Sequence, residues 1–371
     1  MNHLQDMEKP GKVSKILVSN LIIFIVLLLP LEMVWRIYFS NDIKYTLYVL
    51  TDTEICYDVS NLYKTDGGKI CYSRDHNGFR GEYTDASKIN MIVLGGSTTD
   101  QRYIDNKQTW DRVLRDKYKN KSNKNVVIVN AGVDGQSTYG YLKNFDLWFP
   151  NIKNLNPEYV LFYIGINDFF VDEGLHYDKF GHKSAIRTFV RQSIIYHFYR
   201  TVVGMLKAKE ASLAYNGRRV MNPKYSEKTD TPLIKDKRDY EIIMEKKRNA
   251  YKARLIALAK KTRDIHATPI FVTQRFSTYW IENNKIFGVS KFSQYEGVEY
   301  NGVDLHYMIK LLNKTTMDTC KEIKGICVDL ESELSFTHDD FYDHAHNTPS
   351  GTYKIGNYLH GKLKGLHFQK L

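Results

Sequence analysis

The sequence lacks the marks of several protein classes. Its 371 residues contain no internal repeat and no low-complexity tract. No zinc-finger, RNP-like or helix-turn-helix signature accompanies the net charge of +11, so nucleic acid is not an expected partner. The basic residues are dispersed, which is most often simply a solvated surface; on a domain tethered to a membrane, they could also contact anionic headgroups or acidic polysaccharide. A hydrophobic content of 43% is enough to bury a large core and argues against disorder.

Cysteine is scarce as well, with four residues in the whole chain. They form two local pairs, Cys56 with Cys71 and Cys320 with Cys327, and neither spacing is a zinc signature. An even, paired count is typical of disulfides in an oxidising compartment, although two thiol pairs in a cytosolic domain fit the same count.

No alanine precedes Ala86, so an A-x-A signal-cleavage site is missing. Residues 16–35 nevertheless form an apolar stretch whose only charge is Glu32, and twenty helical residues span about 30 Å. We therefore expect one retained transmembrane anchor rather than a cleaved signal. The expected location of the remaining chain is the periplasmic or extracellular side, because of the paired cysteines and the basic residues before the stretch, Lys9, Lys12 and Lys15.

An apolar run at residues 91–94 is followed directly by Gly95, Gly96 and Ser97. A side chain in that place stands at the carboxyl end of a buried strand, where open α/β sheets bind their ligands. A simple turn with Ser97 as a helix cap is the alternative interpretation. Three further segments favour a nucleophile.

Two of these segments are strands that end at the same edge. The strand at 126–130 is followed by Gly132, whose N–H could serve as an oxyanion donor, and the strand at 159–164 is followed by Asn167, whose amide could do the same. The third segment, near the carboxyl end of the chain, places Asp343 three residues before His346, so that one short turn can hold the carboxylate behind the imidazole.

These four segments, in this order, resemble the sequence blocks of the SGNH or GDSL-like hydrolase superfamily. The resemblance covers about residues 74–362 and places the four invariant letters of that family on Ser97, Gly132, Asn167 and His346. It implies a catalytic group of Ser97, Asp343 and His346, with an oxyanion hole made by Ser97, Gly132 and Asn167. It implies no cofactor.

Neighbouring residues have other interpretations. Asp100, one turn past Ser97, departs from the family pattern, and we interpret it as an acid at a helix N-terminus. Asp168 is expected to brace the Asn167 turn through hydrogen bonds. A metal site is the less favoured alternative for the cluster His338, Asp339, Asp340, Asp343, His344 and His346.

Strands near 90–94, 126–130, 159–164, 268–273 and 326–329 alternate with helical patterns at 109–118, 186–207, 239–262 and 305–321. This alternation predicts a parallel sheet covered on both faces, and the resemblance implies a flavodoxin-like three-layer α/β/α sandwich. The predicted organisation is a tail at 1–15, an anchor at 16–35, a connecting segment at 36–89 and a catalytic domain at 90–371. An insertion at 171–238 within the catalytic domain is predicted to border the active site.

The expected function is that of a membrane-anchored serine esterase that removes an acyl group, with acetyl preferred, from an envelope or extracellular glycan. Two alternatives stay open. The same acyl-serine could be attacked by a sugar hydroxyl, which would make the protein an O-acyltransferase, with or without a membrane partner that supplies the acyl donor. A non-catalytic module that binds a glycan or a partner is the other.

Overall fold

The computed structural model describes residues 10–39, 43–122, 125–171, 190, 193–196, 198–199, 202, 227–290, 293–295 and 298–370. In chain order its elements are α1 (Pro10–Phe39), α2 (Ile43–Thr46), β1 (Thr53–Asp58), β2 (Lys69–Arg74), β3 (Met91–Gly95), α3 (Ser97–Asp100), α4 (Trp110–Ser122), β4 (Ile128–Asn130), α5 (Thr138–Leu147), β5 (Tyr159–Tyr163), α6 (Ile166–Phe170), β6 (Lys228–Thr229), α7 (Lys237–Asp264), β7 (Thr268–Val272), β8 (Tyr279–Glu282), β9 (Lys285–Val289), β10 (Ser293–Tyr295), β11 (Val298–Tyr300), α8 (Gly302–Glu322), β12 (Ile326–Val328), α9 (Leu330–Glu333) and α10 (Pro349–Leu363).

Five of the strands form a central sheet in the order β12-β7-β5-β3-β4, and every neighbouring pair is parallel. All five match the strands predicted from the sequence, so the predicted α/β fold with a parallel central sheet is confirmed. Counted along the chain the order is the doubly wound one of flavodoxin-like folds. Its topological switch point lies between β3 and β5, and ligands bind outside the carboxyl ends of such strands.

The sheet is buried on both faces, because alternate residues of each strand enter different cores. On β3, Ile92 and Leu94 pack into a core shared with α5, α7 and α8, whereas Met91 and Val93 pack into one shared with α4 and α10. Burial on both sides explains the uninterrupted apolar run of this strand. The rigid sheet thereby holds the turn after Gly95 in a fixed position.

Helix α1 contains the stretch 16–35, so the predicted helix is present there. In the part of the chain that the structure describes, no helix is both long enough and apolar enough to cross a membrane. The predicted transmembrane span is therefore not confirmed.

The segment predicted as a connection, residues 36–89, contributes structure of its own. Strands β1 and β2 pair as an antiparallel hairpin across which Cys56 and Cys71 are disulfide-bonded. A second disulfide joins Cys320 to Cys327. Arg80 forms an isolated bridge with Asn130 at the end of β4, which attaches the segment to the central sheet. The insertion predicted at 171–238, with the helix predicted at 186–207, lies largely outside the described residues, and the domain boundaries stay a prediction.

Candidate active site

The turn that presents Ser97 has no room for side chains at the two positions before it. A Cβ atom on Gly95 would lie 2.0 Å from Thr99 Oγ1, and one on Gly96 would lie 2.0 Å from Asn167 Nδ2. Both positions therefore require glycine. Ser97 begins α3, a single helical turn that ends in the left-handed residue Gln101, at φ 48°.

The structure brings Ser97, His346 and Asp343 together in one hydrogen-bonded chain. His346 Nε2 lies 2.7 Å from Ser97 Oγ, and His346 Nδ1 lies 2.7 Å from Asp343 Oδ2. The other carboxylate oxygen, Oδ1, accepts the backbone N–H groups of Ala345, at 2.9 Å, and His346, at 2.8 Å. A carboxylate, an imidazole and a hydroxyl in this order can activate the hydroxyl as a nucleophile.

The environment of Asp343 keeps its carboxyl group ionised. Burial favours the neutral acid, but the His346 ring and the N–H groups of Ala345 and His346 outweigh burial and hold the pKa of Asp343 well below its ordinary value. An ionised Asp343 accepts a hydrogen bond from the N–H group at His346 Nδ1, which leaves Nε2 facing Ser97 as the basic atom.

An aromatic side chain supports the imidazole from the side. Tyr342 is buried and its ring stacks on that of His346, with centroids 5.6 Å apart and an interplanar angle of 10°. Tyr342 in turn contacts Tyr63 of the N-terminal segment, at 6.0 Å between centroids. The Tyr63 hydroxyl donates to the backbone oxygen of Tyr103, which follows the nucleophile turn. Two half-buried tyrosines, Tyr63 and Tyr103, thus border the histidine side of the site.

Asn167 stands where the sequence predicts, beside the nucleophile turn. It follows Gly165, which has φ 133°, in the tight turn from β5 into α6. Its amide nitrogen donates to the backbone oxygen of Gln136 at 2.7 Å. An amide nitrogen carries two hydrogens, so this bond fixes the side chain and leaves the second hydrogen for a ligand.

Gly132 requires a correction. Its N–H, predicted to point into the cleft, donates to Asn130 Oδ1 at 2.9 Å and is therefore not available to an oxyanion. Its role in the structure is close packing, since a Cβ atom there would lie 2.4 Å from the backbone nitrogen of Asp100. The missing side chain lets the loop after β4 lie directly against α3.

The same loop contains a second glycine that the sequence argument passed over. Gly135 has φ 77° and precedes Gln136, whose carbonyl holds the Asn167 amide. The N–H of Val133 donates to the backbone oxygen of Gly95, and the N–H of Gln136 donates to the backbone oxygen of Val133. Gly135 therefore offers a backbone N–H in the part of the loop that adjoins Asn167. The signal that could have found it is the second glycine in the run from Gly132 to Gly135.

Asp100 lies in the first turn of α3, as interpreted, but it is also the centre of a buried cluster. Only 1% of the residue is exposed, and Oδ1 accepts from Arg74 Nη2 at 2.6 Å and from the Tyr72 hydroxyl at 2.8 Å. Burial opposes ionisation, but Arg74 and Arg102 prevail and keep the pKa of Asp100 below its ordinary value. Arg74 also donates to the backbone oxygen of Gly132 and so ties α3 to that loop.

Asp168 braces its turn, as predicted. The carboxylate is fully buried and accepts the Thr138 N–H at 3.2 Å, the Thr138 hydroxyl, and Arg254 Nη2 at 3.2 Å. Burial raises its pKa, and Arg254 opposes the rise. The carboxylate thereby connects the Asn167 turn to α5 and α7.

The alternative metal site has no counterpart in the described part of the chain, where no group of three or more His, Cys, Asp or Glu residues is arranged to hold an ion. Within that cluster, Asp340 instead accepts bonds from Thr337, Ser350 and Lys354. The ring of His338 packs against Trp280, with centroids 4.8 Å apart.

The fold and this hydrogen-bonded chain define a hydrolase of the serine type. The sequence model of the GDSL-like lipase/acylhydrolase family matches residues 93–280, half of the chain. The chain belongs to this family, and it is a serine ester hydrolase. No curated protein matches the sequence.

Several solved structures resemble the chain at low identity. TesA is 12% identical, with a TM-score of 0.41 over 74% of this chain and 98% of TesA. The esterase EstA from Pseudoalteromonas sp. is 13% identical, with a TM-score of 0.40 over 74% of this chain and 96% of EstA. Axe2, an acetylxylan esterase from Geobacillus stearothermophilus, is 10% identical, with a TM-score of 0.41 over 75% of this chain and 95% of Axe2.

Proposed function

We propose that Ser97 forms an acyl-enzyme with the acyl group of an ester substrate. His346 takes the proton from Ser97 Oγ as the new carbon–oxygen bond forms, and returns it to the alcohol as the ester bond breaks. Water, deprotonated by the same imidazole, then attacks the acyl carbon; the bond to Ser97 Oγ breaks, His346 returns the proton to Oγ, and the acid is released. This proposal rests on the hydrogen bonds that connect Ser97, His346 and Asp343. The distance from Ser97 Oγ to His346 Nε2 and the distance from His346 Nδ1 to Asp343 Oδ2 are both 2.7 Å.

The negative oxygen of the tetrahedral intermediate needs hydrogen-bond donors on the opposite side of Ser97. We assign them to the Ser97 N–H, the second amide hydrogen of Asn167 and the N–H of Gly135, the last replacing Gly132. Each donor of an oxyanion hole is worth about 3 to 4 kcal/mol of transition-state stabilisation.

We further propose that the acyl group is small, with acetyl preferred, and that the alcohol belongs to an envelope or extracellular glycan. A small acyl group suits a nucleophile turn in which the Asn167 amide lies against Gly96 and the Tyr342 ring stacks on His346, so that bulky groups flank Ser97 on both sides along the chain of contacts. Tyr63 and Tyr103 supply amphipathic rings at the border of the site, which suit a polar ligand that also has apolar faces.

The proposed location is a membrane surface, on its noncytoplasmic side. Two disulfides support an oxidising compartment. Attachment through α1 is supported by its exposed apolar side chains, which include Val26, Leu27, Leu29, Met33 and Ile37. Fractionation of cells that express the full chain tests both points. Recovery with the membrane fraction, together with protease access from outside, is expected, and a freely soluble cytoplasmic protein would contradict the proposal.

The substrate proposal is tested with the full chain in detergent. The rate with p-nitrophenyl acetate should exceed the rates with longer p-nitrophenyl esters, and surface glycans from cells that carry the active enzyme should contain fewer acetyl groups than glycans from cells with Ser97→Ala. If a glycan acceptor instead gains acetyl groups, the reaction is acyl transfer to a sugar hydroxyl and not hydrolysis. An enzyme that acts on long acyl chains alone would contradict the acetyl assignment.

A further inference from the structure

One buried side chain connects the two turns on which the catalysis depends. Gln274 lies two residues beyond the end of β7 and is 2% exposed. Its amide nitrogen donates to Thr98 Oγ1 at 2.7 Å, and its amide oxygen accepts the N–H of Ile166 at 2.9 Å. Thr98 directly follows Ser97, and Ile166 directly precedes Asn167. The side chain therefore spans the topological switch point between β3 and β5.

Gln274 is itself held from behind. Asn313 of α8 is 3% exposed, and its amide nitrogen donates to the backbone oxygen of Gln274 at 2.7 Å. The amide oxygen of Asn313 would lie 3.3 Å from a Cβ atom on Gly165, so the same residue packs against the Asn167 turn. With its backbone anchored and both ends of its amide bonded, Gln274 has one orientation.

The other buried supports attach each turn to a different part of the fold: Asp100 ties α3 to Arg74, and Asp168 ties the Asn167 turn to Thr138 and Arg254. Helix α3 is a single turn of four residues, too short for its internal hydrogen bonds to fix the position of its first residue. The Asn167 amide is fixed by its bond to Gln136 on the far side. A direct bridge from Thr98 to Ile166 is therefore well placed to set the distance between the hydroxyl of Ser97 and the amide of Asn167.

We propose that Gln274 is a positioning residue that holds the nucleophile turn and the Asn167 turn in the relative placement that oxyanion stabilisation requires. The inference rests on the proposed function, in which Asn167 is an oxyanion donor. Loss of the bridge affects the transition state more than the bound ester, because the intermediate's oxygen is the group that must meet the donor. A misplacement of about 1 Å costs on the order of a hundredfold in rate.

The experiment compares Gln274→Met, which has a similar volume but cannot make the two bonds, with Gln274→Glu. Burial favours the protonated carboxyl group, which can donate to Thr98 Oγ1 and accept the Ile166 N–H as the amide does. Active sites of the full chain are counted by labelling with a fluorophosphonate to completion, and kcat is expressed per labelled site. We expect Gln274→Met to lower kcat by about tenfold to a hundredfold at little change in KM for p-nitrophenyl acetate. Gln274→Glu should recover most of the loss.

A double-variant cycle with Thr98→Val supplies a second readout. If the bridge acts as one unit, the variant with both changes loses little more than Gln274→Met alone. A purely structural Gln274 would lower the fraction of protein that is labelled while kcat per labelled site stays at the parent value, and that result would overturn the inference, as would additive losses in the cycle. Failure of the parent itself to label at Ser97 would instead refute the proposed function.

Discussion

The two sides of Ser97 are built in different ways. On the side of the base, His346 and Asp343 come from one short loop, and their side chains are 15% and 19% exposed. On the oxyanion side, the turns after β4 and β5 are held by buried groups from elements far apart in the chain, among them Arg74 and Arg254.

This difference separates two requirements of the reaction. The base has to exchange protons with the substrate and with water, which partial exposure permits. The oxyanion donors have to stay still, and buried, hydrogen-bonded charges supply that rigidity because removal of one partner leaves the other uncompensated. Changes on the base side should therefore reduce the reaction rate more than the stability, whereas changes on the oxyanion side should reduce both.

Apart from removal of the nucleophile itself, the largest effect is expected for Asp343→Asn. The asparagine oxygen in the place of Oδ1 can still accept the backbone N–H groups of Ala345 and His346, and it lies 2.9 Å from His346 Nδ1. The NH₂ group in the place of Oδ2, at 2.7 Å from Nδ1, cannot accept a hydrogen bond, and the negative charge is lost. The imidazole then loses its orientation and tautomer, and kcat should fall by about ten-thousandfold, as in known triads. Steady-state kinetics of the folded variant measure the loss. A fall of less than tenfold would show that Asp343 does not orient the base.

A smaller effect, about a hundredfold in kcat, is expected for Gly132→Ala. The new methyl group meets the Asp100 nitrogen at 2.4 Å and pushes the loop after β4 away from α3. Because the loop is buried, the free energy of unfolding should fall as well, by about 1 to 3 kcal/mol.

The matched control is Gly361→Ala in α10, where nothing lies within 4 Å of the added atom. Kinetics and urea denaturation of both variants provide the comparison. If Gly132→Ala has the same kcat and the same free energy of unfolding as the control, the close packing of this loop contributes neither to catalysis nor to stability.

The smallest predicted effect concerns stability and pH. The pKa of Asp343 in the folded protein lies below its unfolded value, near 4, so the ionised carboxylate stabilises the fold above that value. The stabilisation is lost as the pH falls from about 4 towards the lower folded pKa. The difference in unfolding free energy between the parent and Asp343→Asn should thus be larger at pH 7 than at pH 3. A difference that is constant across this range would contradict the assigned ionisation.

The same contrast explains what could be predicted from the sequence. The parallel strands and the pair Asp343 and His346 are local patterns, and a single loop or strand contains the whole signal. Ser97 and Asn167 follow strands whose carboxyl ends must share an edge of the sheet, so their proximity could also be predicted.

The rest of the oxyanion side is not local. Arg74 donates to Asp100 and Gly132 from a hairpin that the sequence predicts as part of a connecting segment. No sequence motif around Arg74 indicates this contact. Gln274 occupies a loop two strands away from Ser97, and its role depends on a fold that places that loop behind Thr98. The Gly132 N–H points to the side chain of Asn130, two residues earlier, because it donates a hydrogen bond to Asn130 Oδ1. The position of a glycine in the sequence does not show where its N–H group points.

The central claim, an acyl group carried on Ser97, is tested most directly by labelling the parent protein with a fluorophosphonate and identifying the modified residue by mass spectrometry. We expect one label, on Ser97, with slow labelling in His346→Ala and none in Ser97→Ala, which should also have no esterase turnover. Label on a different serine, or full turnover by Ser97→Ala, would contradict it.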